Sequence, residues 1–246
     1  MDIQSSLPSP SQEEHLARLE AEEQANERLY KVLDIGQAML QSGAEVSRVE
    51  DSLRRICLAY GAERADVFTI TSNIMVTMYS RQYGALTQIR RVAGQQYDLH
   101  RLELLNLLCR RICAERLTLE ETERALDAIR DEPQYSFPVQ LLTFALISAS
   151  FSLFFGGSAL DAAASGVIGA VLKVMDQAIR RTEANAFLSA LLCSCLGGLL
   201  AALSVRIGLG RNVDMISIGN IMLLIPGIAL TNSLRDMFSG NTISGL

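Results

Sequence analysis

The stretch Phe137-Pro-Val-Gln-Leu-Leu-Thr-Phe-Ala-Leu-Ile-Ser-Ala-Ser-Phe-Ser-Leu-Phe-Phe155 decides the fold of this chain. It lies inside 28 consecutive uncharged residues between Glu132 and Asp161. It has about the twenty apolar positions that a helix needs to cross a bilayer. Pro133 and Pro138 stand at its start and Gly156-Gly157 at its end.

Downstream the same character repeats. Ser158–Met175 is a second, weaker candidate, with Ser158, Ala162, Gly166 and Ala170 recurring every fourth residue. A ridge of small residues lets membrane helices approach closely; a short soluble core helix is the competing reading. Glu183 and Arg206 bracket 22 uncharged residues, and Asp214 and Arg235 bracket 20 more, interrupted by Pro226-Gly227. Spans are therefore expected near 137–155, 158–175, 184–205 and 214–230. Lys173, Arg180 and Arg181 follow the second span, whereas the loop after the first carries no basic residue. The positive-inside rule then places the N-terminal half in the cytoplasm, with Arg206 and Arg211 counting against it.

Upstream the composition changes. The 246 residues carry a net charge of −5 and 20% charged residues, yet the mean hydropathy is +0.22. Residues 1–135 hold 38 of the 49 charges, so that average describes neither half. Residues 1–14 are polar, carry Pro8 and Pro10, have no apolar core of a signal peptide, and read as a mobile tail. Apolar residues at helical spacing predict helices over Glu13–Gln41 and from Val46 to Gly61, with Gly43 as a left-handed cap between them. Asp66–Thr71, Ile74–Tyr79 and Leu86–Val92 read as an antiparallel meander. Helices over Gln95–Ala114 and from the capping box Thr118-Leu119-Glu120-Glu121 to Arg130 follow. The expected fold is an α+β soluble N-terminal domain of order ααβββαα over 15–135. An all-α polytopic membrane domain with at least four transmembrane helices follows over 136–246.

The net-acidic soluble half has no basic cluster, which argues against nucleic-acid binding. It shows no phosphate-binding loop, dinucleotide fingerprint or nucleophile elbow, so no catalytic residue and no cofactor is assigned. Cys109 and Cys113 share a helix face, but with His100 they make at most three ligands, and no metal site is assigned. Cys57, Cys193 and Cys195 read as reduced packing residues. Glu45, Arg48 and Asp51 lie three apart near Glu50 and form either a polar site or a salt-bridged helix face. Asp161 is either an interfacial anchor or an intramembrane charge. Asn220, Pro226, Gly227, Thr231, Asn232, Arg235 and Asp236 read as a broken helix with polar groups, the device by which transporters build solute sites. A plain exit from the membrane followed by an interfacial helix is the alternative. Arg235 would meet a substrate carboxylate, and Asp161 an amine or a coupling proton.

Two stretches resemble the threonine/serine exporter family. One is Ser42-Gly43-Ala44-Glu45 with Arg48-Val49-Glu50-Asp51. The other is Gly219-Asn220-Ile221-Met222-Leu223-Leu224-Ile225-Pro226-Gly227, continuing through Thr231-Asn232-Ser233 and Arg235-Asp236 to Ser239-Gly240. The resemblance extends from about Leu29 over the rest of the chain. It implies a multi-pass protein of the bacterial inner membrane that exports small polar metabolites, and marks Gly43, Glu45, Arg48 and Glu50 as a cytoplasmic signature. Long members of the family join a soluble domain, five spans and a further bundle, and are linked to threonine and serine export. This shorter chain is similar to the larger component of a two-component exporter linked to succinate. That form implies a small membrane-protein partner that supplies the remaining spans, and leaves a homo-oligomer open. The family pattern continues into another span where this sequence stops at Leu246, so a missing fifth span is expected. Two further readings compete with the exporter: a membrane-anchored enzyme working through Glu45, Arg48 and Glu50, and an assembly or regulatory subunit.

Overall fold

The computed structural model describes residues 10–94, 97–133, 135–180 and 186–238. The first nine residues of the expected tail, Gln95, Arg181, Glu183 and Ser239–Thr242 lie outside them. The chain forms two compact units, one running to Glu132 and resuming at Gly227, the other Pro133–Pro226.

The first unit begins with α1 (Pro10–Gln41) and α2 (Val46–Ala59). Helix α1 takes in residues 10–14 of the stretch read as a tail: proline suits the first helical turn, where its missing N–H has no partner to lose. The turn between the helices is a Schellman motif: Gly43 N–H donates to Leu40 O and Ala44 N–H to Met39 O, both at 3.0 Å. Gly43 has φ +91°, and a Cβ there would lie 2.5 Å from the Tyr97 ring, so only glycine fits this corner.

Strands β1 (Arg64–Ile70), β2 (Asn73–Ser80) and β3 (Gly84–Arg91) form an antiparallel sheet in the order β1-β2-β3. Its register pairs Val67 with Val76 and Val76 with Gln88. Ile74, Val76 and Met78 point from β2 into the core, where they meet Leu29, Leu33, Leu53 and Ile56 of α1 and α2. Helix α3 (Leu99–Glu115) starts at the first leucine of its apolar stripe, where Asp98 caps it by accepting from the Arg101 N–H at 3.0 Å. Helix α4 (Leu119–Arg130) carries the expected capping box between Thr118 and Glu121. The order is therefore ααβββαα.

The second unit holds α5 (Phe137–Phe154), α6 (Ala159–Arg180), α7 (Ala186–Arg206) and α8 (Val213–Leu224). Helices α5, α6 and α7 are long and apolar enough to cross a membrane. The described residues thus contain three such helices, or four if α8 and the following α9 (Gly227–Phe238) count as one span broken at Pro226. Helix α8 ends at Leu224 because Pro226 cannot continue its ladder and drives Ile225 into extended backbone, ψ 122°. Leu142, Leu146 and Leu153 on α5, Val167 on α6 and Leu199 and Leu203 on α7 stay exposed. Apolar residues exposed over so much of the bundle require lipid as their solvent. The interior side is different: beside Ile168, Leu172 and Ile216 it buries small and polar residues.

Candidate functional site

Within the bundle, Ser148 and Ser152 of α5, Ser165 of α6 and Asn220 of α8 are buried at 0–2% exposure. Ser148 Oγ donates to Asn220 Oδ1 at 2.7 Å, and its other close partner, Ser165 Oγ, is also at 2.7 Å. Ser165 Oγ lies 3.1 Å from the Ser148 carbonyl, to which it donates, and Asn220 Nδ2 donates to the Ile216 carbonyl at 2.8 Å. Gly219 makes this seam possible: a Cβ there would stand 2.5 Å from Ser165 Oγ and 2.7 Å from Ser148 O. Ser152 Oγ is buried without a hydrogen-bond partner among the described residues. Gly166 of the four-residue ridge packs against Ala145, and Gly169, outside that ridge, against Ser148, which brings α5 and α6 together.

Asp161 sits in the first turn of α6, 1% exposed. Its Oδ2 accepts from Ser158 N–H at 2.9 Å and Ser158 Oγ at 2.7 Å. Its Oδ1 accepts from the Arg211 and Asn212 N–H groups, at 2.6 and 2.9 Å. Four donors satisfy both oxygens, so the carboxylate caps α6 and ties down the segment between α7 and α8. Little capacity remains for a substrate amine.

In the first unit, α9 packs its polar residues on the Gly43 turn. Asn232 Nδ2 donates to the Gly43 carbonyl at 3.0 Å. Arg235 Nη1 lies 3.1 Å from Glu45 Oε2, with side chains 66% and 18% exposed. Glu45 also accepts from Ser47 Oγ at 2.7 Å. Asp236, 3% exposed, accepts from the Val46 N–H at the start of α2. The positive end of α2 makes that burial tolerable. Asp236 Oδ1 nevertheless has no hydrogen-bond partner among the described residues, and Glu45 is near enough to repel it. The arrangement is a guanidinium held by a weak, half-exposed ion pair beside a buried carboxylate with one unused oxygen.

The remaining sequence candidates scatter. Glu50 turns to β1 and accepts from the Thr69 N–H at 2.8 Å; burial raises its carboxyl above the ordinary carboxylate range, opposed by that bond and by Arg54. Arg48 lines a cleft between α2 and α3, and Asp51 pairs with Arg55 at 3.0 Å. Thr231 Oγ1 bonds back to the Gly227 carbonyl at 2.8 Å, and Pro226 and Gly227 serve as the helix break. Glu45, Arg48 and Glu50 therefore face three different surroundings. Sequence reading missed the serine cluster, whose only sign was three hydroxyls at four- and seventeen-residue spacing within otherwise apolar runs.

The threonine/serine exporter family model matches residues 31–246. The chain is 23% identical over 223 residues to a "Probable threonine/serine exporter" of Mycobacterium tuberculosis, covering 88% of this chain and 42% of that protein. It is also 23% identical over 221 residues to a "Threonine/serine exporter" of Corynebacterium glutamicum, covering 85% of this chain and 44% of that protein. A "Probable succinate transporter subunit" of Klebsiella aerogenes matches at 23% over 217 residues, covering 85% of this chain and 80% of its own length. The chain thus spans less than half the length of the two exporters, 42% and 44%. No solved structure is significantly similar to it. With its apolar helices and a family match that runs from α1 onward, the chain is a multi-pass membrane protein and belongs to the threonine/serine exporter family.

Proposed function

We propose that this chain is a subunit of an inner-membrane exporter of small amino acids, with its N-terminal domain in the cytoplasm. It works with a separate membrane-protein partner subunit. The observation that carries the reading is Asp236: a buried carboxylate with one oxygen that has no partner among the described residues, next to Glu45 and Arg235. An ion pair as exposed as Arg235–Glu45 is worth about 0–1 kcal/mol, so it exchanges partners readily. A substrate α-carboxylate would take the Arg235 guanidinium in bidentate form. Glu45, released, and Asp236 would then hold the substrate ammonium. Succinate has no ammonium to offer these two acids, so the site favours threonine or serine over a dicarboxylate. A proton can stand in for the ammonium on Asp236, which gives a coupling ion for the return step.

The test is efflux of labelled threonine, serine and succinate from cells with and without the gene and its membrane-protein neighbour. Threonine or serine efflux that falls in Asp236→Asn, and falls again when the proton gradient is collapsed, is the expected result. Efflux of succinate alone would overturn the substrate assignment. Efflux indifferent to the gradient would remove the proton.

A further inference from the structure

We propose that the cleft between α2 and α3 is a second ligand site, which binds a free α-amino acid and senses the level of the exported solute. The inference rests on the amino-acid reading above but uses a different set of residues.

Helix α2 presents Arg48, Asp51 and Arg55 at intervals of three and four, one stripe of its surface. Helix α3 faces it with Glu103, Asn106 and Arg110, also one stripe. The space between them is about 660 Å³, within the range of small-molecule sites. A structural explanation would have these charges neutralise one another across the gap. They do not: Asp51 is held by Arg55 on its own helix at 3.0 Å. Arg48, Arg110 and Glu103 have no ion-pair partner among the described residues.

Two free cations and one free anion around one cleft match a zwitterion. Arg48 and Arg110 are suited to a carboxylate, and Glu103 to an ammonium. Asn106 spends its amide N–H on the Leu102 carbonyl at 2.7 Å and keeps its own carbonyl as a further acceptor for the ammonium. Leu99 and Leu102 give the cleft an apolar wall for a short side chain. A dicarboxylate would bring a second negative charge against Glu103.

Cys113 lines the same cleft and is half-buried, so it reports occupancy directly. Cys195 is exposed, and Cys57, Cys109 and Cys193 are buried. The experiment uses the full chain in lipid nanodiscs, in a Cys195→Ser background, and measures the rate of maleimide modification of Cys113 at mildly alkaline pH. L-Threonine at ten times its half-effect concentration should slow modification about tenfold, by simple occupancy. Succinate should leave the rate unchanged. Arg110→Ala should lose the threonine protection, measured against that variant's own unliganded rate, and Asp236→Asn should keep the protection. The proposal falls if threonine leaves the rate unchanged at concentrations that saturate efflux. It also falls if succinate protects equally, or if protection survives Arg110→Ala. Failure of the export reading shows in efflux instead, so the two outcomes are read separately.

Discussion

Gly219→Ala should destabilise the helical bundle, whereas Gly198→Ala, on the neighbouring α7, should not. Alanine is the better helix former, by about 1 kcal/mol over glycine, so propensity alone predicts that both changes stabilise. Packing separates them. A Cβ at residue 198 meets nothing within 4 Å, while one at residue 219 meets Ser165 Oγ at 2.5 Å and Ser148 O at 2.7 Å. The Ser165 hydroxyl can rotate away. The Ser148 carbonyl is backbone and cannot, and it stands about 0.7 Å inside an ordinary 3.4 Å contact. Relief requires α5 and α8 to part by a similar amount. That would stretch the 2.7 Å Ser148–Asn220 bond toward the limit of useful geometry.

Overpacking of this kind costs about 1–3 kcal/mol, and a hydrogen bond between membrane helices is worth about 0.6 kcal/mol. Set against about 1 kcal/mol of propensity gain, the net loss for Gly219→Ala is about 1–2 kcal/mol. The assay is equilibrium unfolding of the purified chain in mixed micelles, titrated with denaturing detergent. Gly219→Ala should unfold earlier than the parent and Gly198→Ala at the same point or later. If Gly219→Ala matches or exceeds Gly198→Ala in stability, the close crossing of α5, α6 and α8 at Gly219 is wrong.

Three further outcomes are expected. Glu50→Gln should raise the thermal stability of the chain at pH 7, with the gain vanishing near pH 4. Burial makes the folded Glu50 hold its proton more tightly than the unfolded chain does, so ionisation opposes folding and stability falls as pH rises through that range; thermal melts at the two pH values check it. Asp161→Asn should expose the α7–α8 segment by replacing one of its acceptor oxygens with a donor, at about 1–3 kcal/mol for the bonds left unmade; faster trypsin cleavage after Arg206 and Arg211 is the readout. Thr118→Ala should cost about 0.5–2 kcal/mol by removing the cap of α4, seen as an earlier thermal transition with the bundle's detergent titration unchanged.

The elements of this chain are legible because each has a local cause. The glycine at 43 needs positive φ, the Thr118 box satisfies two orphan N–H groups, and Pro226 ends α8 by geometry alone. Boundaries that depend on a single side chain were less so. Helix α3 starts at Leu99, four residues beyond the expected Gln95, and the leucine period alone does not name Asp98 as its cap. The site was legible in its residue types and not in its grouping. Nothing in the spacing says that Asn232 and Arg235 lie against Gly43 and Glu45, some 190 positions earlier in the chain. Nor does it say that Arg48, three residues from Glu45, faces a different space. Helix periodicity assigns a face; only the packing of other elements decides what that face meets.

Asp161 and Asp236 show why burial by itself does not mark a working group. Both are acids in helices near membrane segments, 1% and 3% exposed, and sequence patterning treats them alike. Asp161 receives four donors, two of them from the backbone at Arg211 and Asn212. A carboxylate saturated in this way gains nothing from a ligand and loses much if its bonds are broken, which is the signature of a structural tie. Asp236 receives the Val46 N–H, and its Oδ1, beside a second acid, has no partner among the described residues. An unsatisfied buried oxygen costs about 1–3 kcal/mol. On the function proposed above, a proton or an ammonium arriving there would recover that energy. Asp236→Asn therefore separates the two roles. Asparagine supplies its own N–H donors beside Glu45, so the fold should hold or gain stability while threonine and serine efflux is lost. Loss of stability with efflux preserved would assign Asp236 to the fold and leave export to other residues.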